Sequence, residues 1–114
     1  MSRNPLILMH SGTASRHNMA EFRLTPAAQQ DLDDIFDHSV SEWGLTTALR
    51  YTEDLQATLT MLASAPQRGR KCDAIRPGYR RFGVGGHVLF FKATSYGIAV
   101  IRILHQRMDT SRHL

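Results

Sequence analysis

The chain has 114 residues, 42% of them hydrophobic and 21% charged, with a formal net charge of +4; that fits one ordinary globular domain and leaves little room for a second. No stretch approaches the roughly 20 apolar residues of a membrane span, the longest candidate, Val84 to Phe91, being broken by Gly85, Gly86 and His87. The single Cys72 excludes an internal disulfide and suits a reducing cytosol.

Residues Met1–Asn18 hold Pro5, Gly12 and a short apolar cluster, Leu6-Ile7-Leu8-Met9. The cluster is shorter than the apolar region of a secretory signal, so this segment reads as a disordered extension, a tag or a mis-called start. The working domain is then 19–114. Glu21-Phe22-Arg23-Leu24-Thr25 alternates polar and apolar residues and predicts a short strand. Thr25 can cap a helix that Pro26 enters, and Ala28, Leu32, Ile35, Phe36, Ser39, Val40 and Trp43 recur at helical spacing along its inner face. Trp43 is therefore expected in the core. Gly44 stops this helix. A second helix carries Ala48, Tyr51 or Thr52, Leu55, Leu59 and Leu62 inward and ends before Pro66.

Gln67 to Gly78 reads as a loop. Three strands follow: Tyr79–Phe82, His87–Lys92 and Ile98–His105, joined closely enough for an antiparallel meander. The order β-α-α-β-β-β predicts an α+β fold, a helical hairpin packed on a mainly antiparallel curved sheet. Charge divides along the chain. Residues 19–65 hold eight acidic and two basic side chains, whereas 66–114 hold ten basic and two acidic ones. The second half is expected to present a surface to an anionic partner. Pairing between the two halves is the alternative. Cys72, beside Arg70 and Lys71, is either a weak nucleophile or an unremarkable loop thiol.

Four pieces of sequence, in order, resemble the ParE branch of the RelE/ParE toxins. They are Leu24-Thr25-Pro26-Ala27-Ala28 with the acidic helix Gln30-Asp31-Leu32-Asp33-Asp34-Ile35; Pro66-Gln67-Arg68-Gly69-Arg70; Tyr79-Arg80-Arg81-Phe82 with His87-Val88-Leu89-Phe90-Phe91; and Ile101-Arg102-Ile103-Leu104-His105-Gln106-Arg107-Met108-Asp109. The last is the most specific. The resemblance implies a helical hairpin on a curved sheet. It implies a cytoplasmic toxin of a type II toxin–antitoxin pair, held in a hetero-oligomer by a cognate ParD-like antitoxin and acting on DNA gyrase, possibly with DNA. It implies no cofactor and no metal.

A RelE-like ribosome-dependent mRNA endonuclease is the alternative on the same scaffold, and a non-toxic binding module is a third. Cleavage through the 2′-OH needs a base, an acid and cations, which here fall to His105, Arg81 and Arg107. The RelE array of lysines is missing, since only Lys71 and Lys92 stand in the basic half. The target-binding candidates are Arg80, Arg81, Arg102, His105 and Arg107. The antitoxin-binding candidates are Arg50, Arg68, Arg70 and Lys71, cations able to pair with an acidic tail that folds on binding. Of Arg80 and Arg81 only one can face the outside of the sheet, the other covering apolar surface or pairing with an Asp. His105 is expected to bond a neighbouring backbone group, and His87 to be structural.

Overall fold

The computed structural model describes residues 20–108 and 110–114. The expectation for Met1–Asn18 lies outside the described residues. The elements are β1 (Glu21–Leu24), α1 (Pro26–Trp43), α2 (Leu45–Ser64), a 3-10 turn (Pro66–Arg68), β2 (Arg70–Lys71), β3 (Tyr79–Val84), β4 (His87–Thr94), β5 (Gly97–His105) and α3 (Thr110–His113). The strands form one sheet in the order β1-β5-β4-β3-β2. β1 runs parallel to β5, and the other pairings are antiparallel. The fold is the expected α+β hairpin-on-sheet arrangement.

Local chemistry sets the hairpin. Thr25 is extended, and its Oγ1 accepts from the Ala28 N–H at 3.0 Å while Pro26 opens the first turn. Gly44 has φ of 91°, a conformation that costs glycine little, and its N–H closes α1 on the Val40 carbonyl. The sheet and both helices then share one core. Phe22, Leu24, Leu55, Leu59, Leu62, Leu89, Phe91, Ile98 and Val100 are all buried there. Each such side chain contributes about 2 kcal/mol by leaving water. A second, smaller cluster lies on the other face of the sheet, where Cys72, Val88, Phe90 and Leu104 are covered by Ile75, Tyr79 and Leu114.

Beyond Leu24 the free edge of β5 is completed by α1 instead of a strand. The Thr25 hydroxyl donates to the Ile101 carbonyl at 2.8 Å, and the Ile103 N–H donates to the Asp31 carboxylate at 2.9 Å. The same stretch holds a bulge. Phe90 pairs with Arg102 but Phe91 pairs with Val100, so Ile101 is an extra residue. Simple alternation from Ile98 and Val100 would point Arg102 and Leu104 at the helices. The bulge inverts this: Ile103 packs in the helix-side core and Leu104 in the outer cluster.

Four expectations need correction. Trp43 is 62% exposed, because α1 runs past the end of the sheet and nothing is left there to cover the ring. The segment expected as a loop contains β2, whose two residues pair with Arg80 and Arg81. β3 continues to Val84 and β4 to Thr94, each two residues past the predicted end. Thr110–His113 also forms a short helix, where the sequence predicts no element.

Candidate functional site

Two surfaces concentrate the polar chemistry of the described residues. The first is the β2–β3 margin. Arg70 stands opposite Arg81 and Lys71 opposite Arg80, and directly opposed residues share a face of the sheet. Arg81 is paired with Phe90 and holds its guanidinium 5.5 Å from that ring's centroid, so it lies on the outer face. Arg80 is paired with Phe91 on the helix side and donates to the Gly69 carbonyl at 2.8 Å. Of the two alternatives for the inward arginine, pairing with an Asp is not the one found: the partner is a backbone oxygen. Arg68, Arg70 and Arg81, with Phe82 and Gly83, line an open cleft of about 350 Å³. Lys71, Arg80 and Lys92 border an adjoining cleft of about 360 Å³. Asp73 lines the same cleft and accepts from the Gly78 N–H at 2.9 Å. Among the described residues no acidic side chain forms an ion pair on this margin; the pairs are Arg23–Glu21 and Arg102–Asp31.

The second surface is a pocket of about 350 Å³ between the tip of the helical hairpin and the β3–β4 turn, lined among others by Asp34, His38, Trp43, Tyr51, His87 and His105. His87 and His105 are direct cross-strand neighbours with ring centroids 5.5 Å apart. The Tyr51 hydroxyl donates to the Val84 carbonyl at 3.0 Å and lies 2.8 Å from His87 Nδ1. The direction of the Tyr51–His87 hydrogen bond follows the His87 tautomer. Burial, then the neighbouring His105 and His38, hold the His87 imidazole below its ordinary range. Burial raises the Tyr51 phenol. The His105 Nδ1 accepts from the Arg107 N–H at 3.1 Å, the backbone bond the sequence predicted for it. Tyr51 appeared in the sequence only as a core candidate. Its role depends on the β3–β4 turn, a contact 33 residues away that no local pattern announces.

The remaining candidates are dispersed. Arg102 donates to both Asp31 oxygens, at 2.7 and 2.8 Å, and the bond to Asp31 raises its pKa. Arg107 is exposed in the turn after β5. Arg50 lies near the start of α2, whereas Arg68 follows its end, a separation of about 20 Å along a helix axis at 1.5 Å per residue. The antitoxin set therefore does not form one patch, while its Arg68 and Arg70 join Arg81 of the target set. Cys72 is buried, and burial raises its thiol despite the opposing effect of Arg81, which removes the nucleophile reading. Among the described residues no group of three or more His, Cys, Asp or Glu is arranged to hold a metal ion. No helix among them is long and apolar enough to cross a membrane.

Residues 22–110 match the family described as the ParE toxin of the type II toxin–antitoxin system, parDE. The chain is 45% identical over 96 residues to Toxin ParE1 of Mycobacterium tuberculosis, covering 83% of this chain and 98% of that protein. It is 41% identical over 96 residues to Toxin ParE1 of Caulobacter vibrioides, covering 84% and 99%. A solved structure described as the chromosomal ParDE TA system from P. aeruginosa superposes with a TM-score of 0.65 at 26% identity, over 77% of this chain and 97% of that one. Sequence order, hairpin-on-sheet architecture and these matches agree: the chain belongs to the ParE toxin family of type II toxin–antitoxin systems.

Proposed function

We propose that this toxin acts in the cytoplasm by binding and inhibiting DNA gyrase, without catalysis of its own. The observation that supports this reading most is the β2–β3 margin, where Arg68, Arg70 and Arg81 line one open cleft with no acidic side chain paired to them among the described residues. Such a cluster is a binding surface for an anionic partner. Its guanidiniums are suited to carboxylates or phosphates by their planar, two-pronged donors.

The nuclease alternative draws less support from the geometry. Its candidates His105, Arg81 and Arg107 would have to converge on one scissile phosphate. Arg81 lies on the outer face of β3. His105 lines the helix-side pocket at the end of β5, with β4 between the two strands. Arg102, another cation suspected of contacting the target, is spent on Asp31. The antitoxin is the second partner of this system. An acidic antitoxin segment laid over Arg68, Arg70 and Lys71 would neutralise the toxin by occupying the margin that its target needs.

The test is a supercoiling assay with the toxin freed from its antitoxin, gyrase, relaxed plasmid and ATP. The expected outcome is lost supercoiling with linear DNA trapped. Unimpaired supercoiling at molar excess, by toxin that arrests growth when expressed alone, overturns the gyrase reading.

A further inference from the structure

The β2–β3 margin is cationic on both faces, and this narrows the partner more than net charge does. Arg70 and Arg81 share the outer face with Phe90, and Lys71 and Arg80 share the helix side with Phe91. Like charges directly opposed across a ladder weaken it, and β2 has only two residues with which to hold its place. A polyanion bound from outside offsets that repulsion. An acidic peptide would lie along one face or add as one more strand to the edge. Duplex DNA presents two rows of phosphate flanking each groove. The major groove, about 12 Å wide, admits a two-stranded β-ribbon. β3 is also paired with β4, so the margin enters as the edge of the sheet. A sheet with its side chains is about 10 Å from face to face, which fits between the rows with Arg70 and Arg81 toward one wall and Lys71 and Arg80 toward the other.

We propose that the β2–β3 margin is a DNA-backbone site. Arg68, Arg70 and Arg81 contact one row of phosphates, and Lys71 and Arg80 contact the other. The toxin thereby grips the duplex that its target carries. The inference rests on the gyrase reading for the source of that duplex, and the duplex contact itself is measured without gyrase.

The experiment is fluorescence anisotropy of a short labelled DNA duplex with the full chain freed of antitoxin. With five phosphate contacts, affinity falls about five-hundred-fold between 50 and 200 mM salt. Replacing Arg68, Arg70 and Arg81 by Ala lowers affinity at low salt by at least about tenfold and flattens the logarithmic salt slope by about three. The double variant K71A/R80A also weakens binding, because the second row is real. R23A, on β1 at the opposite end of the sheet order, leaves binding unchanged. The charge-conserving R70K/R81K keeps the salt slope, which separates loss of charge from loss of fold.

Duplex affinity unchanged in R68A/R70A/R81A overturns the site. Affinity unchanged in K71A/R80A overturns its two-row form. Loss of antitoxin pairing with duplex affinity intact assigns the margin to an acidic segment instead and also overturns it. Gyrase inhibition without margin-dependent duplex binding removes the DNA site and leaves the gyrase reading standing. Margin-dependent duplex binding with no effect on gyrase does the reverse.

Discussion

Asp31 shows how one side chain can tie distant segments together. Its carboxylate accepts from the Arg102 guanidinium in two places and from the Ile103 N–H, 71 and 72 residues away. It completes an edge of β5 that β1 is too short to cover, and it neutralises a cation whose side chain is 23% exposed. Asp31→Ala leaves the Ile103 N–H and the Arg102 guanidinium without these partners, and should cost about 2 kcal/mol. Urea denaturation measures the loss, with the exposed Asp34→Ala expected to stay within about 0.5 kcal/mol of the parent. Equal stabilities for the two variants would remove Asp31 from its role as an edge clasp. His87 supplies a pH dependence of known sign. Its imidazole is held below the ordinary value of 6.5, chiefly by burial. The unfolded chain therefore takes up a proton before the folded chain does as pH falls. The His87 contribution is full above the ordinary value and is lost as pH drops toward the folded value. The thermal midpoint should fall between about pH 7.5 and about pH 5.5. His87→Asn, which keeps a hydrogen-bonding amide near Nδ1, should flatten that fall; an identical profile would show that His87 is not its source.

At the scale of elements, the joints decide the fold more than the interiors. β1 can run beside β5 only because position 97 is glycine. Gly97 has φ of 143°, and a Cβ there would collide with the Glu21 carbonyl oxygen. Gly97→Ala is expected to cost about 3 kcal/mol or more by combining backbone strain with loss of the parallel pairing. Protease sensitivity of the β1 segment, read together with the urea midpoint, checks this. Trp43 gives the opposite case. A buried Trp→Ala costs about 3–5 kcal/mol, but this ring is 62% exposed, so Trp43→Ala should cost less than about 1 kcal/mol.

Both positions mark the limits of reading elements from sequence. Thr25-Pro26, Gly44 and Pro66 punctuate the chain locally, and the helices begin and end where they say. Trp43 fits the helical period perfectly well, but periodicity cannot reveal where the sheet beneath a helix stops. β2 is only two residues long, and its pairing with β3 is a non-local event. The bulge at Ile101 reverses the inward and outward faces of the last strand, and no residue there signals it. The candidate site shares that limit. The wealth of arginine after Pro66 was plain, whereas its division between two faces of one ribbon and the diversion of Arg102 to Asp31 needed the register.

The whole molecule carries its charge asymmetrically, and this bears on whether the toxin works by general attraction or by a local grip. The acidic residues crowd the helical layer, with Asp34, Asp37 and Glu42 exposed on α1, while the β2–β3 margin gathers Arg68, Arg70, Lys71 and Arg81. A formal net charge of +4 averages these away. Exposed charges separated by more than a Debye length, about 8 Å at physiological ionic strength, hardly feel one another. The hairpin's carboxylates should thus leave the margin's affinity nearly untouched and alter only long-range steering. Two variants that change net charge by the same amount in opposite directions separate the possibilities. Asp37→Asn with Glu42→Gln raises the net charge by two and should change the concentration for half-inhibition of supercoiling less than about threefold. Arg70→Ala with Arg81→Ala lowers it by two and should weaken inhibition by about tenfold or more, as two charge-assisted contacts at roughly 1 kcal/mol each would require. Comparable and opposite shifts in the two variants would mean that overall attraction drives inhibition. A loss confined to the arginine variant would place the grip on the β2–β3 margin, where Arg68, Arg70 and Arg81 line one cleft with no acidic side chain paired to them among the described residues.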